Sequence, residues 1–374
     1  MTATSLVTVI VPCRNEREHI VPFCQSAALQ QLPEGWSLEV LVADGLSDDG
    51  TRERLSAWCE QDPRFRMIDN PGRIVSTGLN RCIAEARGEF IVRMDVHTVY
   101  APDYVAECLA AWQRTGADNV GGPWHAGGQE GRGAVVQRAV AAAFQSRWVA
   151  GGARSRDLAY EGPVDTVYLG AWPRETFARF GGFDEQLVRN QDDEHNLRIH
   201  QGGGRIWQSA RIRSTYFPRA SIGDVFRQYR QYGYWKPFVM RKHGQPAALR
   251  HLIPGAFVGA LGVCLAVLLT AVAALLWGTT TGHWSPGRGE AGYGLALWAA
   301  YGGAVALLAL VTVYGAAVCA VSVTIARQRG RDLLWHLPDV IGAYHFGYGL
   351  GSLRGWWDVL RRRPPDPAFG RLTR

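Results

Sequence analysis

Asp95-Val96-His97 places a carboxylate and an imidazole two positions apart, at the end of the apolar run Phe90 to Met94. Side chains so spaced beyond a strand can lean towards one bound ion. A carboxylate with an imidazole suits manganese or magnesium bridging a diphosphate, and manganese tolerates the imidazole better. Asp44 ends an earlier strand-like run, Glu39 to Ala43. A carboxylate there needs a partner and can accept the imide N–H of a uracil ring. Gln191-Asp192-Asp193-Glu194 is a third acidic station, opening a helix that runs to His200 and stops at Gly202-Gly203-Gly204. This reading puts Asp192 at the N-cap, where the helix dipole favours the ionised form a general base needs. Asp193 is the second candidate for that role.

The elements that must position these residues alternate along the chain. Leu6 to Val11 reads as a doubly buried strand ended by Pro12, with a helix from about Glu16. Strand-like Ser37 to Ala43, helix-like Arg52 to Gln61, strand-like Arg66 to Ile68, helix-like Ile74 to Arg87 and strand-like Phe90 to Met94 follow. Such alternation predicts an α/β domain with a mainly parallel sheet and helices on both faces. Ligands of these sheets sit outside the carboxyl ends of the strands, where Pro12, Asp44 and Asp95 all fall. After Asp44, Ser47 or Asp49 is expected to cap the next helix. Trp124, Arg154, Arg156, Asp165 and Trp172 lie in segments that could line an acceptor cleft or simply pack. A nicotinamide-dependent dehydrogenase is disfavoured, because Pro12-Cys13-Arg14-Asn15-Glu16 stands where a Gly-x-Gly-x-x-Gly turn would be needed.

The chain of 374 residues has room for one such domain and a smaller module, and carries a formal charge of +7. The basic excess flanks apolar runs, at Lys236, Arg241, Lys242, Arg250, Arg327, Arg329, Arg331 and Arg361 to Arg363, which points to an anionic leaflet and away from nucleic acid. Seven scattered cysteines without a Cys-x-x-Cys pair indicate reduced, packed thiols. The amino-terminal run Leu6 to Val11 is too short for a signal segment, so the first domain is expected in the cytoplasm.

Leu252 to Trp277 and Leu295 to Ile325 are each long enough to cross a bilayer. Between them Arg288 is balanced by Glu290, and the basic flanks place both outer ends in the cytoplasm, so a multi-pass hairpin in the inner membrane is expected. Leu333 to Leu353 carries His336, Pro338, Asp339 and His345. A crossing there would put Arg361 to Arg363 outside, so 333–360 is expected to be interfacial or re-entrant. Arg227 to Lys236 reads as an amphipathic helix with its aromatics at headgroup depth. The expected organisation is 1–220 for the soluble domain, 221–251 for an interfacial helix and linker, and 252–374 for the membrane region.

Val9-Ile10-Val11-Pro12-Cys13-Arg14-Asn15-Glu16, Asp44-Gly45-x-Ser47-x-Asp49-Gly50-Thr51, Asp95-x-His97 and Gly182-Phe183-Asp184-Glu185 through Gln191-Asp192-Asp193-Glu194 resemble, in order, the motifs of family 2 inverting glycosyltransferases. The likeness is strongest to the bacterial succinoglycan-type exopolysaccharide glucosyltransferases and extends from about Leu6 to the first apolar segment. It implies a GT-A nucleotide-sugar-binding fold, with Pro12, Arg14, Asn15, Glu16, Asp44 and Asp95 around the donor. It further implies a divalent ion, manganese or magnesium, on Asp95 and His97, and Asp192 as the base that deprotonates the acceptor hydroxyl. His97 replaces the commoner second aspartate, and Gln191 replaces the Glu of the usual Glu-Asp pair. Gln231-x-x-Tyr234-Trp235 resembles the Gln-x-x-Arg-Trp motif of processive synthases with Tyr for Arg, which favours addition of a single sugar. Trp235 is then an acceptor-stacking candidate.

The expectation is a membrane-anchored transferase that moves a sugar from a nucleotide-sugar donor, UDP-linked if Asp44 meets uracil, to a polyprenyl-diphosphate-linked glycan in contact with membrane lipids. The alternative is a nucleotide-sugar sensor or scaffold without transfer. A sensor needs no base, which speaks against it.

Overall fold

The computed structural model describes residues 5–128, 134–149, 151–246, 248–284 and 291–370. Its first half follows the hydrophobic pattern directly. The strands β1 (Ser5–Cys13), β2 (Trp36–Asp44), β3 (Phe65–Asp69) and β4 (Phe90–Arg93) alternate with helices α1 (Ile20–Ala28), α2 (Thr51–Gln61) and α3 (Val75–Glu85). All four strands pair in parallel, with β1 between β2 and β4 and β3 outside β2. Both faces are apolar because neighbouring residues feed opposite cores. Val7, Val9, Val11, Val40 and Val42 join one cluster, and Ile10, Leu41, Ala43 and Ile91 the other. Helix α1 starts at Ile20, later than the expected Glu16, and Pro22 falls in its first turn, where a missing N–H costs little.

The sheet then turns mixed. Strand β5 (Thr98–Tyr100), helix α4 (Tyr104–Thr115), strand β6 (Asn119–Gly122) and helix α5 (Ala134–Phe144) lead to β7 (Gly162–Pro163), β8 (Tyr168–Pro173), α6 (Glu175–Phe180), α7 (Gln191–Gln201), β9 (Ile206–Gln208) and β10 (Ser214–Tyr216). Strand β8 inserts antiparallel between β4 and β6, giving the order β3-β2-β1-β4-β8-β6-β9-β7. β10 pairs with β5 in a separate two-stranded ribbon.

Four long helices complete the chain: α8 (Ile222–His243), α9 (Ile253–Thr280), α10 (Ala291–Arg329) and α11 (Leu337–Leu360). With 28 and 39 residues, α9 and α10 are long and apolar enough to cross a membrane, and many of their large side chains face outward, among them Val263, Leu276, Leu295, Trp298 and Val313. Arg288 and Glu290, the balanced pair expected between them, lie outside the described residues.

The aromatics of α8 expected at headgroup depth lie elsewhere: Tyr229, Tyr234 and Trp235 are buried in the protein, largely because α11 lies along the helix. Gly347, Gly351 and Gly355, spaced four apart on α11, bring the two backbones together. A Cβ on Gly351 would stand 2.1 Å from the Arg230 carbonyl oxygen, and one on Gly355 would stand 2.3 Å from that of Tyr234. This is the small-residue logic of tightly packed apolar helices. The segment 333–360 is thus a packed helical partner of α8.

Candidate active site

The carboxyl ends of β1 and β4 build one wall of the site. Arg93, 6% exposed, closes β4, and its guanidinium meets both oxygens of Asp95, Nε to Oδ1 at 3.0 Å and Nη2 to Oδ2 at 3.2 Å. The turn that follows is held by the Thr98 N–H on the Asp95 carbonyl. It is held also by Tyr100 Oη, which accepts from the Asp95 N–H at 2.6 Å. His97 emerges from this turn with its Nδ1 3.5 Å from Glu16 Oε1 and its ring edge-on to Tyr216 of β10. Burial pulls the imidazole below its ordinary pKa; Asp95 opposes this, while Arg219, Arg93 and Arg189 reinforce it. The neutral imidazole is the form that ligates metals.

Glu16, Asp95 and His97 together offer carboxylate oxygens and one nitrogen, a donor set suited to manganese or magnesium. Among the described residues no three such side chains close around one point. Asp95 and His97 are the residues that would hold such an ion.

Asp44 is placed differently from the expectation. Its fully buried carboxylate accepts from Ser47 Oγ at 2.5 Å, from the Ser47 N–H at 3.0 Å and from Arg52 Nη1 at 2.7 Å, and it does not line the cleft. Its oxygens organise the loop from Ser47 to Arg52. That loop grips the Pro12-to-Glu16 segment: Ser47 Oγ accepts the Asn15 N–H at 2.8 Å, and Thr51 Oγ1 accepts the Glu16 N–H at 2.8 Å. Pro12 and Glu16 line the cleft, whereas Arg14 and Asn15 lie outside its lining. Asp49 does serve the start of α2, accepting the Thr51 N–H at 3.0 Å, although Gly50 occupies the cap position.

The opposite wall is the start of α7. Asn190, in the left-handed region at φ 62°, is the residue before the helix, so Asp192 lies within the first turn and is not its cap. Asp192 Oδ1 accepts the Asp193 N–H at 2.9 Å. Burial raises the Asp192 pKa, Asp193 adds to the rise, and Arg93 opposes it. Asp193 goes the other way. Burial alone would raise it, but Lys236 of α8, hydrogen-bonded to Oδ2, holds it below the usual range, with His251 and Arg250 assisting. The ion pair to Lys236 occupies Asp193, and among the described residues Asp192 has no ion pair, which leaves it the better candidate base of the two.

These walls enclose one cleft of about 1010 Å³, lined by Glu16, Asp95, His97, Asp192 and Asp193 and continuing to Phe257 of α9 and Tyr314 of α10. Of the expected acceptor residues, Trp124 lines it, stacked on Tyr168 at 5.0 Å. Trp172 does not: it is 2% exposed and packs on Phe177 and Phe183 in the core. Trp235 is likewise interior, its indole N–H donating to the Phe369 carbonyl at 3.1 Å. Asp165 is ion-paired to Arg250 outside the main cleft lining.

Sequence reasoning missed Arg93, Arg189, Arg219 and Lys236 as cleft cations. Arg93 carried a signal, an arginine closing an otherwise apolar strand; the others depend on tertiary placement.

Residues 8–170 match the sequence model described as glycosyl transferase family 2. The chain is 32% identical over 271 residues to the succinoglycan biosynthesis protein ExoA of Rhizobium meliloti, covering 72% of this chain and 80% of that protein. It is 24% identical over 249 residues to a dolichyl N-acetyl-alpha-D-glucosaminyl phosphate 3-beta-D-2,3-diacetamido-2,3-dideoxy-beta-D-glucuronosyltransferase of Methanococcus voltae, covering 64% of this chain and 75% of that protein. Among solved structures, 94% of the chain superposes on 87% of the mannosyltransferase PcManGT from Pyrobaculum calidifontis, in complex with GDP-Man and Mn2+, at a TM-score of 0.55 and 19% identity. The match to S. aureus TarS 1-349 in complex with UDP covers 60% of this chain and 63% of that one, at 15% identity and a TM-score of 0.43, so this chain spans less than two thirds of it. The architecture is GT-A-like, as the motifs implied.

Proposed function

The chain belongs to the family 2 glycosyl transferases, and on that premise we propose that it transfers one sugar, with inversion, from a nucleoside diphosphate sugar to a lipid-linked glycan during assembly of an exopolysaccharide or other envelope polysaccharide. One observation carries this reading: Asp95, His97 and Asp192 face a single cleft that runs on to the apolar helices α9 and α10. A soluble acceptor needs no such continuation. The relatives' names, a succinoglycan biosynthesis protein and a transferase acting on a dolichyl phosphate-linked sugar, support the same direction.

In this proposal Asp192 takes the proton of the acceptor hydroxyl as the oxygen attacks the anomeric carbon. Asp193 is the weaker candidate, because Lys236 already occupies its oxygen. Asp95 and His97 would hold a divalent ion, which when bound supplies positive charge for the departing diphosphate. Arg93 fixes Asp95, and Arg189 and Arg219 add positive charge beside His97. Residues 1–220 form the transferase domain and 252–374 a membrane region that holds the cleft beside the bilayer, with 221–251 as their connection.

The test is a panel of labelled nucleotide sugars offered with manganese to membranes carrying the protein, followed by lipid extraction. Label entering lipid from one donor is expected. Label that enters no lipid from any donor, or lipid-free sugars glycosylated as efficiently, overturns the proposal.

A further inference from the structure

We propose that Arg156, with Trp124 beside it, forms an oxyanion subsite on the acceptor side of Asp192 and selects acceptors carrying a phosphate or carboxylate next to the hydroxyl that is glycosylated. The inference deepens the proposed function and rests on it.

Arg156 sits on the short turn Arg154–Arg156 and lines the cleft. The turn is fastened on two sides. Ser155 accepts the Trp124 N–H through its carbonyl at 2.8 Å, and the fully buried Gln208 of β9 donates to the carbonyls of Asp157 at 2.9 Å and Tyr160 at 3.2 Å. A guanidinium on so fixed a loop has little freedom to reach a distant partner. It lies instead between two rings, its Cζ 3.3 Å from the Phe144 centroid and 4.0 Å from that of Trp124. Aromatic faces hold a guanidinium in place and leave its N–H edge for a planar or tetrahedral oxyanion.

Three cleft cations already have carboxylates: Arg93 has Asp95, Lys236 has Asp193 and Arg250 has Asp165. Among the described residues Arg156 forms no ion pair, and its Nη1 and the Trp124 Nε1, both buried, have no hydrogen-bond acceptor. Two unsatisfied donors on neighbouring side chains in a cleft cost stability unless a ligand meets them. An oxyanion supplies what both lack, in the charge-assisted geometry arginine favours. Burial also pulls Arg156 below the usual arginine pKa, a penalty that a bound anion relieves.

The position assigns the anion to the acceptor. Phe144, on which Arg156 lies, packs in one apolar cluster with Tyr229 of α8 and with Ala343 and Tyr348 of α11. Arg156 therefore stands on the side of the cleft that α8 and α11 close, the side a membrane-bound acceptor would enter from.

Binding by the full-length protein in detergent tests this with geranylgeranyl diphosphate, geranylgeraniol, glucuronate and UDP or GDP with manganese as probes. Wild type is expected to bind geranylgeranyl diphosphate or glucuronate, and geranylgeraniol much more weakly. Arg156→Gln should weaken that anion about 10–100-fold, the range for losing a charge-assisted pair, and leave the nucleotide within about twofold. Arg156→Lys keeps the charge and should fall between, which guards against misfolding of the first variant. Arg189→Gln should show the reverse selectivity. Preference for geranylgeranyl diphosphate places the anion on the carrier, and preference for glucuronate places it on the saccharide. Anion binding unchanged in Arg156→Gln, no binding of either anion, or equal loss of anion and nucleotide overturns the inference. Sugar transfer to lipid in the same preparation would leave the proposed function standing.

Discussion

Lys236 of α8 donates to Asp193 of α7, so the two adjacent acids that open α7 stand in opposite electrostatic settings. Lys236→Met should therefore have two effects. The stability lost on leaving Asp193 in a largely enclosed site should be about 3 kcal/mol, seen as a drop in Tm. Lys236 also helps keep Asp192 ionised. A base works only when deprotonated, so transfer rises with pH through the Asp192 pKa, which burial has lifted above the usual carboxylate range. The acid limb of kcat/KM should shift to higher pH in Lys236→Met. A limb that stays in place removes Lys236 from the account of Asp192.

His97→Ala should weaken manganese binding by at least about tenfold, measured by equilibrium dialysis in the presence of nucleotide so that the readout does not depend on turnover. Chelation of wild type should reproduce the transfer defect, and added manganese should reverse it. Equal manganese affinity in wild type and variant would separate His97 from the ion.

Glu39 links strand and loop beneath the site. It is 2% exposed and accepts from Thr8 Oγ1 at 2.8 Å and Arg87 Nε at 2.6 Å. Burial alone would raise its pKa, but these bonds bring it below the ordinary value. With a depressed native pKa, its contribution is present above the unfolded value of about 4.3 and is lost as pH falls through the native one. Glu39→Gln should cost about 2 kcal/mol at pH 7 and progressively less under acid. Denaturant midpoints at pH 7 and pH 3 check this, and an equal cost at both contradicts it.

Gly351→Ala should loosen the α8–α11 contact, because the added Cβ would lie 2.1 Å from a backbone oxygen that cannot rotate away. The expected cost is about 2 kcal/mol or more, since the helices must separate. Gly342→Ala, on the same helix with open space around it, is the control and should be near neutral. Equal Tm values for the two variants would show that the close approach is not needed.

The parallel half of the sheet and its acidic strand ends were legible because each strand is apolar on both faces, and loops at one edge hold residues that the core cannot use. Trp172 and Trp235 were not, since an indole fills a core as readily as it lines a cleft, and only the surrounding chain decides which. The partner of Asp44, Arg52, lies eight residues on and has the form of an ordinary surface cation of α2 until the fold turns it inward. Helix α8 was misread for a similar reason: its aromatics meet α11, more than a hundred residues away in the chain. The Gly347, Gly351 and Gly355 spacing was the available signal, and it showed as scattered glycine content until a facing helix gave it meaning.

The most direct test of the central claim is single-turnover transfer by Asp192→Asn, with donor affinity measured in parallel. The account predicts a rate lowered about 10²–10⁴-fold with donor binding nearly intact, because a neutral amide cannot take the acceptor proton. Turnover close to wild type in that variant would contradict it.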